Sequence, residues 1–121
     1  MESFCKVLGD VDAKKQMAIP SDFVQHLPPH GGGYTHYFPV VDMSGKVWEN
    51  FGYYIRSVES HPKPVFQGDW HQFVLAKGLV AGDRIIFRME RDANGVPRYT
   101  IAAQKRLLRK LFGQAIWGPE F

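Results

Sequence analysis

Two polar segments carry the side chains whose types could do chemistry. They cover residues 9–16 and 56–63, and eight side chains within them are contact candidates: Lys14, Lys15, Gln16, Arg56, Ser57, Ser60, His61 and Lys63. Lysine and arginine neutralise phosphates, whereas glutamine, serine and arginine can also reach base edges. Solvent-exposed loops have the same composition. Nucleic-acid binding and ordinary surface loops therefore both remain open on these residues alone.

The sequence favours no enzyme, metal site or cofactor. It contains neither a Gly-x-Ser-x-Gly elbow nor a phosphate-cradling glycine loop followed by lysine. His26 and His30 have the spacing of two ligands on one helix face, but Pro28 and Pro29 between them prevent that helix. Three carboxylates are expected to accept backbone N–H groups at turns or helix caps: Asp42, Asp69 and Asp83.

Length and composition indicate one folded domain. The chain has 121 residues, 45% of them hydrophobic and 14% aromatic, which excludes disorder as the main state. A single cysteine excludes an internal disulfide scaffold, and we expect Cys5 to be a small core residue in a reducing compartment. No stretch approaches the roughly 20 apolar residues of a membrane helix.

Charge is distributed unevenly along the chain. The net charge is +3, with −2 on residues 1–83 (7 basic, 9 acidic) and +5 on residues 84–121 (8 basic, 3 acidic). Such asymmetry permits an anionic partner, and a solvated basic tail is the alternative. We expect the basic excess to attract phosphates in general rather than to read a sequence.

Short strands dominate the predicted elements. Alternation and turn signals predict strands that include 4–8, 34–41, 84–90 and 98–102, with a hairpin turn at Asn94-Gly95. Capping and apolar spacing predict helices over 22–26, 70–77 and 103–115, and residues 9–16 are predicted to be a loop. About seven short strands with two or three short helices are typical of a small barrel.

Several motifs occur in an order that resembles the plant B3 DNA-binding domain family. They are Met17-Ala-Ile-Pro20, Asp42-x-x-Gly45-Lys46-x-Trp48, Gly68-Asp69-Trp70-x-x-Phe73-Val74 and Leu79-x-Ala81-Gly82-Asp83-x-x-x-Phe87. The resemblance covers residues 4 to about 102. It implies a mainly β fold, a seven-stranded open pseudobarrel with two short helices over residues 1–103. A basic, amphipathic C-terminal helix would follow within residues 104–121.

The same resemblance implies a function. It implies a nuclear transcription factor module that grips double-stranded DNA in the major groove with two arms. The arms would be residues 9–17 and 54–64, which contain the two polar segments. The landmark residues would instead pack and cap the barrel, with Trp48 and Trp70 in the core.

Both arms depart from the family pattern. Well-studied members place lysine where this chain has Ala13 and arginine where it has Gln16. Because glutamine prefers adenine edges and arginine prefers guanine, we expect a different preferred DNA site. In the second arm, Glu59 lies among the contact candidates, where phosphates would repel it.

A segment after the barrel suggests a protein partner. Arg109-Lys110-Leu111-Phe112-Gly113 resembles the Arg-Leu-Phe-Gly-Val motif that recruits a co-repressor, although a lysine intervenes and Gln114 replaces valine. The alternative is a helix whose apolar stripe packs on the barrel. Two other functions remain: a protein-interaction module that uses this segment, and an enzyme with a similar recognition barrel.

Overall fold

A seven-stranded sheet forms the body of the protein. The computed structural model describes residues 1–29, 31–55, 63–111 and 114–121. The strands are β1 (Glu2–Val7), β2 (Met17–Ala18), β3 (Thr35–Asp42), β4 (Val47–Tyr54), β5 (Val65–Gly68), β6 (Arg84–Arg91) and β7 (Pro97–Gln104), in the order β1-β6-β7-β3-β4-β5-β2. This architecture confirms the predicted mainly β, seven-stranded fold.

Pairing in the sheet is antiparallel except where its two halves meet. There β3 and β7 run parallel and pair only at Val41↔Thr100 and Asp42↔Ile101. Three short helices lie between the strands: α1 (Asp10–Lys14), a 3-10 helix (Ser21–His26) and α2 (Asp69–Lys77). The helices predicted over 22–26 and 70–77 are therefore present.

Alternating side chains from the strands fill one core. In β6, Ile85, Phe87 and Met89 are buried, as the alternation predicts. Trp48 and Trp70, 6% and 0% exposed, pack edge-on or stacked against the ring of Phe73. The expectation that both tryptophans serve the core is confirmed, and neither is available to stack on a base.

The predicted C-terminal helix is wrong. The chain instead continues β7 to Gln104 and forms a hairpin of β8 (Arg106–Leu111) and β9 (Gln114–Trp117). Long-range contacts explain the difference. The carboxylate of Asp83 accepts from the Nζ of Lys105 (2.6 Å) and the backbone N–H of Arg106 (2.9 Å). Such tertiary bonds override local helix propensity.

Residues near the C-terminus also pair with the barrel. Ala103 and Phe121 exchange two backbone hydrogen bonds of 2.9 Å, and the N–H of Gly118 donates to the carbonyl of Lys105. These bonds extend the edge of β7 beyond its short contact with β3. Leu107, which belongs to the apolar stripe that the alternative helix would pack on the barrel, is 45% exposed.

Two local predictions also need correction. Cys5 is exposed, because Phe4 and Lys6 take the half-buried positions of β1 and alternation turns Cys5 outward. Asp69 is the first residue of α2 rather than its cap, which is Gly68. Its carboxylate instead accepts the backbone N–H of Asn50 at 2.9 Å.

The hairpin turn between β3 and β4 is organised by Asp42. This carboxylate, 6% exposed, accepts from the N–H groups of Ser44 and Lys46, the hydroxyl of Ser44 and the indole N–H of Trp48. Burial alone would raise the pKa of Asp42, but these hydrogen bonds outweigh it and lower the pKa from 3.8 to about 2.

This shift predicts an acid-sensitive contribution to stability. Because the folded state lowers the pKa of Asp42, its carboxylate stabilises the fold above about pH 4 by about 2 kcal/mol, which is lost as pH falls towards 2. Urea unfolding of the wild type and Asp42→Asn should show a stability gap that narrows over this range. Asp83, whose pKa is also lowered, is present in both proteins, so its contribution cancels in the difference between their free energies of unfolding. A gap that stays constant with pH would contradict this assignment.

Candidate nucleic-acid interface

The first arm, residues 9–17, leads from β1 into β2 and contains a short helix within residues 9–16, where a loop was predicted. Gly9 caps α1, and its backbone N–H donates to the Oδ2 of Asp12 at 2.8 Å. The N–H of Lys15 donates to the carbonyl of Val11 at the other end of the helix. Isolated helices of this length are unstable, so contacts with the rest of the fold must hold it.

Asp12 supplies most of those contacts. It is 9% exposed, and its Oδ1 accepts from the backbone N–H of Ala18 (3.3 Å) and the Nζ of Lys6 (3.2 Å). The same lysine also donates to the carbonyl of Ala18 at 2.7 Å. In addition, the buried indole N–H of Trp70 donates to the carbonyl of Asp12 at 2.8 Å. The first arm is thus fixed to β1, β2 and α2 at once.

The three contact candidates of the first arm all face solvent. Lys14, Lys15 and Gln16 are exposed, and neither lysine forms an ion pair with any residue that the structure describes. Gln16 is held differently, because its Oε1 accepts a hydrogen bond of 3.0 Å from the Nε2 of Gln67. The first arm therefore presents the charged groups of Lys14 and Lys15, which have no ion-pair partner among the described residues, beside the hydrogen-bonded amide of Gln16.

The second arm leaves the sheet from the β4–β5 hairpin. Tyr54 and Val65 pair at its base, and the N–H of Ile19 donates to the carbonyl of Pro64 at 2.9 Å. Lys63 is exposed. The other candidates, together with Glu59, lie outside the described residues: Arg56, Ser57, Ser60 and His61.

The two arms stand at opposite ends of β5. Gln16 lies beside Gln67 near one end of this strand, and Lys63 precedes Val65 at the other end. The short strand β2 pairs with β5 through Met17 and Ala18 only, so both arms emerge at this border of the sheet.

The outer face of the sheet between the arms carries polar, uncharged side chains that the sequence analysis missed. Among them are Thr35, Tyr37 and Gln67, and Tyr37 is 57% exposed. The neighbouring residues Phe38 and Phe66 point inward and are buried. Strand alternation around these two phenylalanines is the signal that could have placed the polar residues outward.

Several of the eight basic side chains of residues 84–121 have partners within the described part of the protein. Each of four basic side chains contacts a described partner: Arg84 with Gln104 and the ring of Trp117, Arg88 with Glu120, Arg98 with Asp92, and Lys105 with Asp83. These contacts stabilise the turns and the C-terminal segment. The expected role in general phosphate attraction consequently receives no support from these four side chains.

Other candidate sites are also accounted for. The Nε2 of His26 lies 3.6 Å from the Oε2 of Glu2. The part of the chain that the structure describes holds no cluster of three or more His, Cys, Asp or Glu side chains that could bind a metal ion. Within the same residues, no helix is long and apolar enough to cross a membrane. Leu111 ends β8, while Phe112 and Gly113 of the possible co-repressor motif lie outside the described residues.

The decisive comparison is with protein families. The model of the B3 DNA binding domain matches residues 4–105 of this chain. The chain belongs to the B3 DNA-binding domain family. This B3 domain therefore has a non-enzymatic, DNA-binding fold. The match contains both arms, six whole strands of the sheet and residues 4–7 of β1.

Solved structures agree with the family assignment. A chain of an Arabidopsis FUS3-DNA complex is similar at 27% identity and a TM-score of 0.69, with 84% of this chain and 95% of that chain covered. A hypothetical Arabidopsis thaliana protein shares the fold at 20% identity and a TM-score of 0.56, with 84% and 88% covered. No curated protein sequence matches the chain.

Proposed function

We propose that this B3 domain binds double-stranded DNA sequence-specifically in the major groove and regulates transcription in the nucleus. The observation that carries the proposal is the placement of the two arms at opposite ends of β5. Because both arms emerge at the same border of the sheet, they can enter one major groove, which is about 12 Å wide, together. The similar Arabidopsis FUS3 chain, solved as a DNA complex, supports the same partner.

The side chains suggest a division of labour between the arms. Lys14 and Lys15 are exposed and unpaired among the described residues, so they can neutralise phosphates at little desolvation cost. Gln16 carries a donor and an acceptor that can read a base edge. We assign Lys63 and the remaining second-arm candidates to the opposite wall of the groove.

Selection from a random duplex library tests the proposal as a whole. The protein should enrich one motif at near-physiological salt, and anisotropy should show that it binds this motif more tightly than a scrambled duplex. Specific binders typically gain at least about 1000-fold over non-specific sites. A chain that enriches no motif, or binds all duplexes equally, would contradict sequence-specific recognition.

Replacing the arm lysines should weaken binding to all sequences alike. Lys14→Ala and Lys15→Ala should each make the negative slope of log K against log[salt] less steep by about 0.9, because each removes one phosphate contact. Titrations of the selected and scrambled duplexes at several salt concentrations measure this slope. Lys46→Ala is the control, since Lys46 is exposed in the β3–β4 turn and its Nζ lies over the ring of Trp48. A slope unchanged by both arm variants would remove them from the interface.

A transcriptional co-repressor is the further partner that we propose, through Leu111, Phe112 and Gly113. The proposal rests on the sequence motif. It predicts that capture of a co-repressor depends on Leu111 and Phe112 but is unaffected by Lys14→Ala and Lys15→Ala. Loss of capture in the arm variants alone would place the contact elsewhere.

A further inference from the structure

A row of polar side chains crosses the outer face of the sheet and ends at the first arm. The hydroxyl of Thr35 on β3 donates to the Oε1 of Gln67 on β5 at 2.8 Å. The Nε2 of Gln67 donates in turn to the Oε1 of Gln16 at 3.0 Å. These two hydrogen bonds fix the orientation of both amides, because the oxygen of Gln67 accepts from Thr35 and the oxygen of Gln16 accepts from Gln67.

This row exists because β4, the strand between Thr35 and Gln67, carries no side chain at the point where the row crosses it. The two residues lie on strands that flank β4, and such strands are about 10 Å apart. The β4 residue opposite Gln67 is Gly52, and a Cβ there would lie 2.8 Å from the Cγ2 of Thr35. Any larger residue at Gly52 would push Thr35 away, so the glycine allows the hydroxyl to reach the amide.

We propose that Gln67, held by Thr35 across Gly52, is a positioning residue that fixes Gln16 for reading an adenine. This inference rests on the proposed function. An exposed glutamine otherwise samples many rotamers, and ordering it on binding opposes recognition. Positioning before binding removes part of that loss and favours one base over the others.

The hydrogen-bonding capacity of the positioned amide matches an adenine edge. Gln16 retains its Nε2 as a donor and one lone pair on Oε1 after accepting from Gln67. Adenine offers an N7 acceptor and an N6 donor in the major groove, which such an amide can bind with two hydrogen bonds. An alanine at position 67 would leave this amide free to rotate.

The test measures base discrimination rather than affinity alone. Affinities of the selected duplex and its three single-base-pair substitutions are compared at each position for wild type, Gln16→Ala, Gln67→Ala and the double variant. Gln16→Ala should reduce discrimination about 10-fold at one adenine position. Gln67→Ala should reduce it several-fold at that same position, with no further loss in the double variant. Thr35→Val and Gly52→Ala should cause weaker losses there.

The test includes a matched control variant, and its outcomes distinguish failure of the positioning role from failure of the proposed function. Gln25 is also exposed and makes one amide hydrogen bond, to the carbonyl of Asp22, so Gln25→Ala should leave discrimination unchanged. If Gln16→Ala shifts the preference and Gln67→Ala does not, the positioning role is overturned while DNA recognition stands. A uniform loss of affinity in Gln67→Ala, with discrimination intact, overturns it equally. A wild type that enriches no motif overturns the proposed function itself.

Discussion

Replacing Gly68 with alanine should lower the free energy of unfolding by about 3 kcal/mol or more. Gly68 joins β5 to α2 with a φ of +64°, where L side chains are strained by about 1–3 kcal/mol. A Cβ at this position would also lie 2.3 Å from the backbone carbonyl oxygen of Asn50. Because the obstacle is backbone rather than a flexible side chain, the strand or the helix must shift. Urea unfolding at neutral pH measures the loss.

Gly78 offers a control with the same backbone φ. It ends α2 with a φ of +64°, and a Cβ there would meet nothing within 4 Å. Gly78→Ala should therefore show only the backbone strain, about 1 kcal/mol. The difference between the two variants measures the contact with Asn50 together with the greater backbone strain at Gly68, whose ψ of −125° lies outside the left-handed helical region that Gly78 occupies with a ψ of 36°. Equal losses would mean that the β5–α2 junction relaxes freely.

The sheet was predictable where local patterns and the fold agree. Alternation in β6 reflects the burial of Ile85, Phe87 and Met89. The Asn94-Gly95 turn forms as predicted, with Gly95 at a φ of +78°. In both cases the signal lies within a few residues, so no knowledge of distant contacts is needed.

Long-range contacts account for the two elements that were predicted wrongly. Helix α1 depends on Lys6, Ala18 and Trp70, which meet Asp12 only once the barrel has formed. The C-terminal segment forms strands because Asp83 binds residues 105 and 106 and because Phe121 pairs with Ala103. Neither set of contacts can be deduced from residue type and spacing.

The candidate site was only partly predictable for a related reason. By composition alone, the lysines and the glutamine of the first segment leave DNA binding and an ordinary surface loop both open, and it is the resemblance to the B3 family that predicts an arm there. The positioning of Gln16 by Gln67 requires the register of β2 on β5 and the gap at Gly52 on β4. Such register information belongs to the assembled sheet rather than to any one segment.

Replacing Asp12 with alanine should disorganise the first arm and weaken DNA binding at least about 10-fold. The variant would leave the backbone N–H groups of Gly9 and Ala18 and the Nζ of Lys6 without their carboxylate acceptor. Losing a buried, charged hydrogen-bond acceptor of this kind costs about 2–4 kcal/mol of stability. Binding would then have to order the arm, which opposes association by about 1–2 kcal/mol per residue. Urea unfolding and anisotropy with the selected duplex measure the two effects.

Asp10→Ala separates this role from charge. Both aspartates belong to α1, and both substitutions remove one negative charge, but Asp10 is exposed whereas Asp12 is buried. Electrostatics alone would make either variant bind DNA slightly more tightly, because a phosphate repels a carboxylate. Opposite outcomes, unchanged or tighter binding for Asp10→Ala and weaker binding for Asp12→Ala, therefore cannot arise from the loss of negative charge. Equal affinities in the two variants would show that the arm reaches its DNA-binding form without the Asp12 contacts.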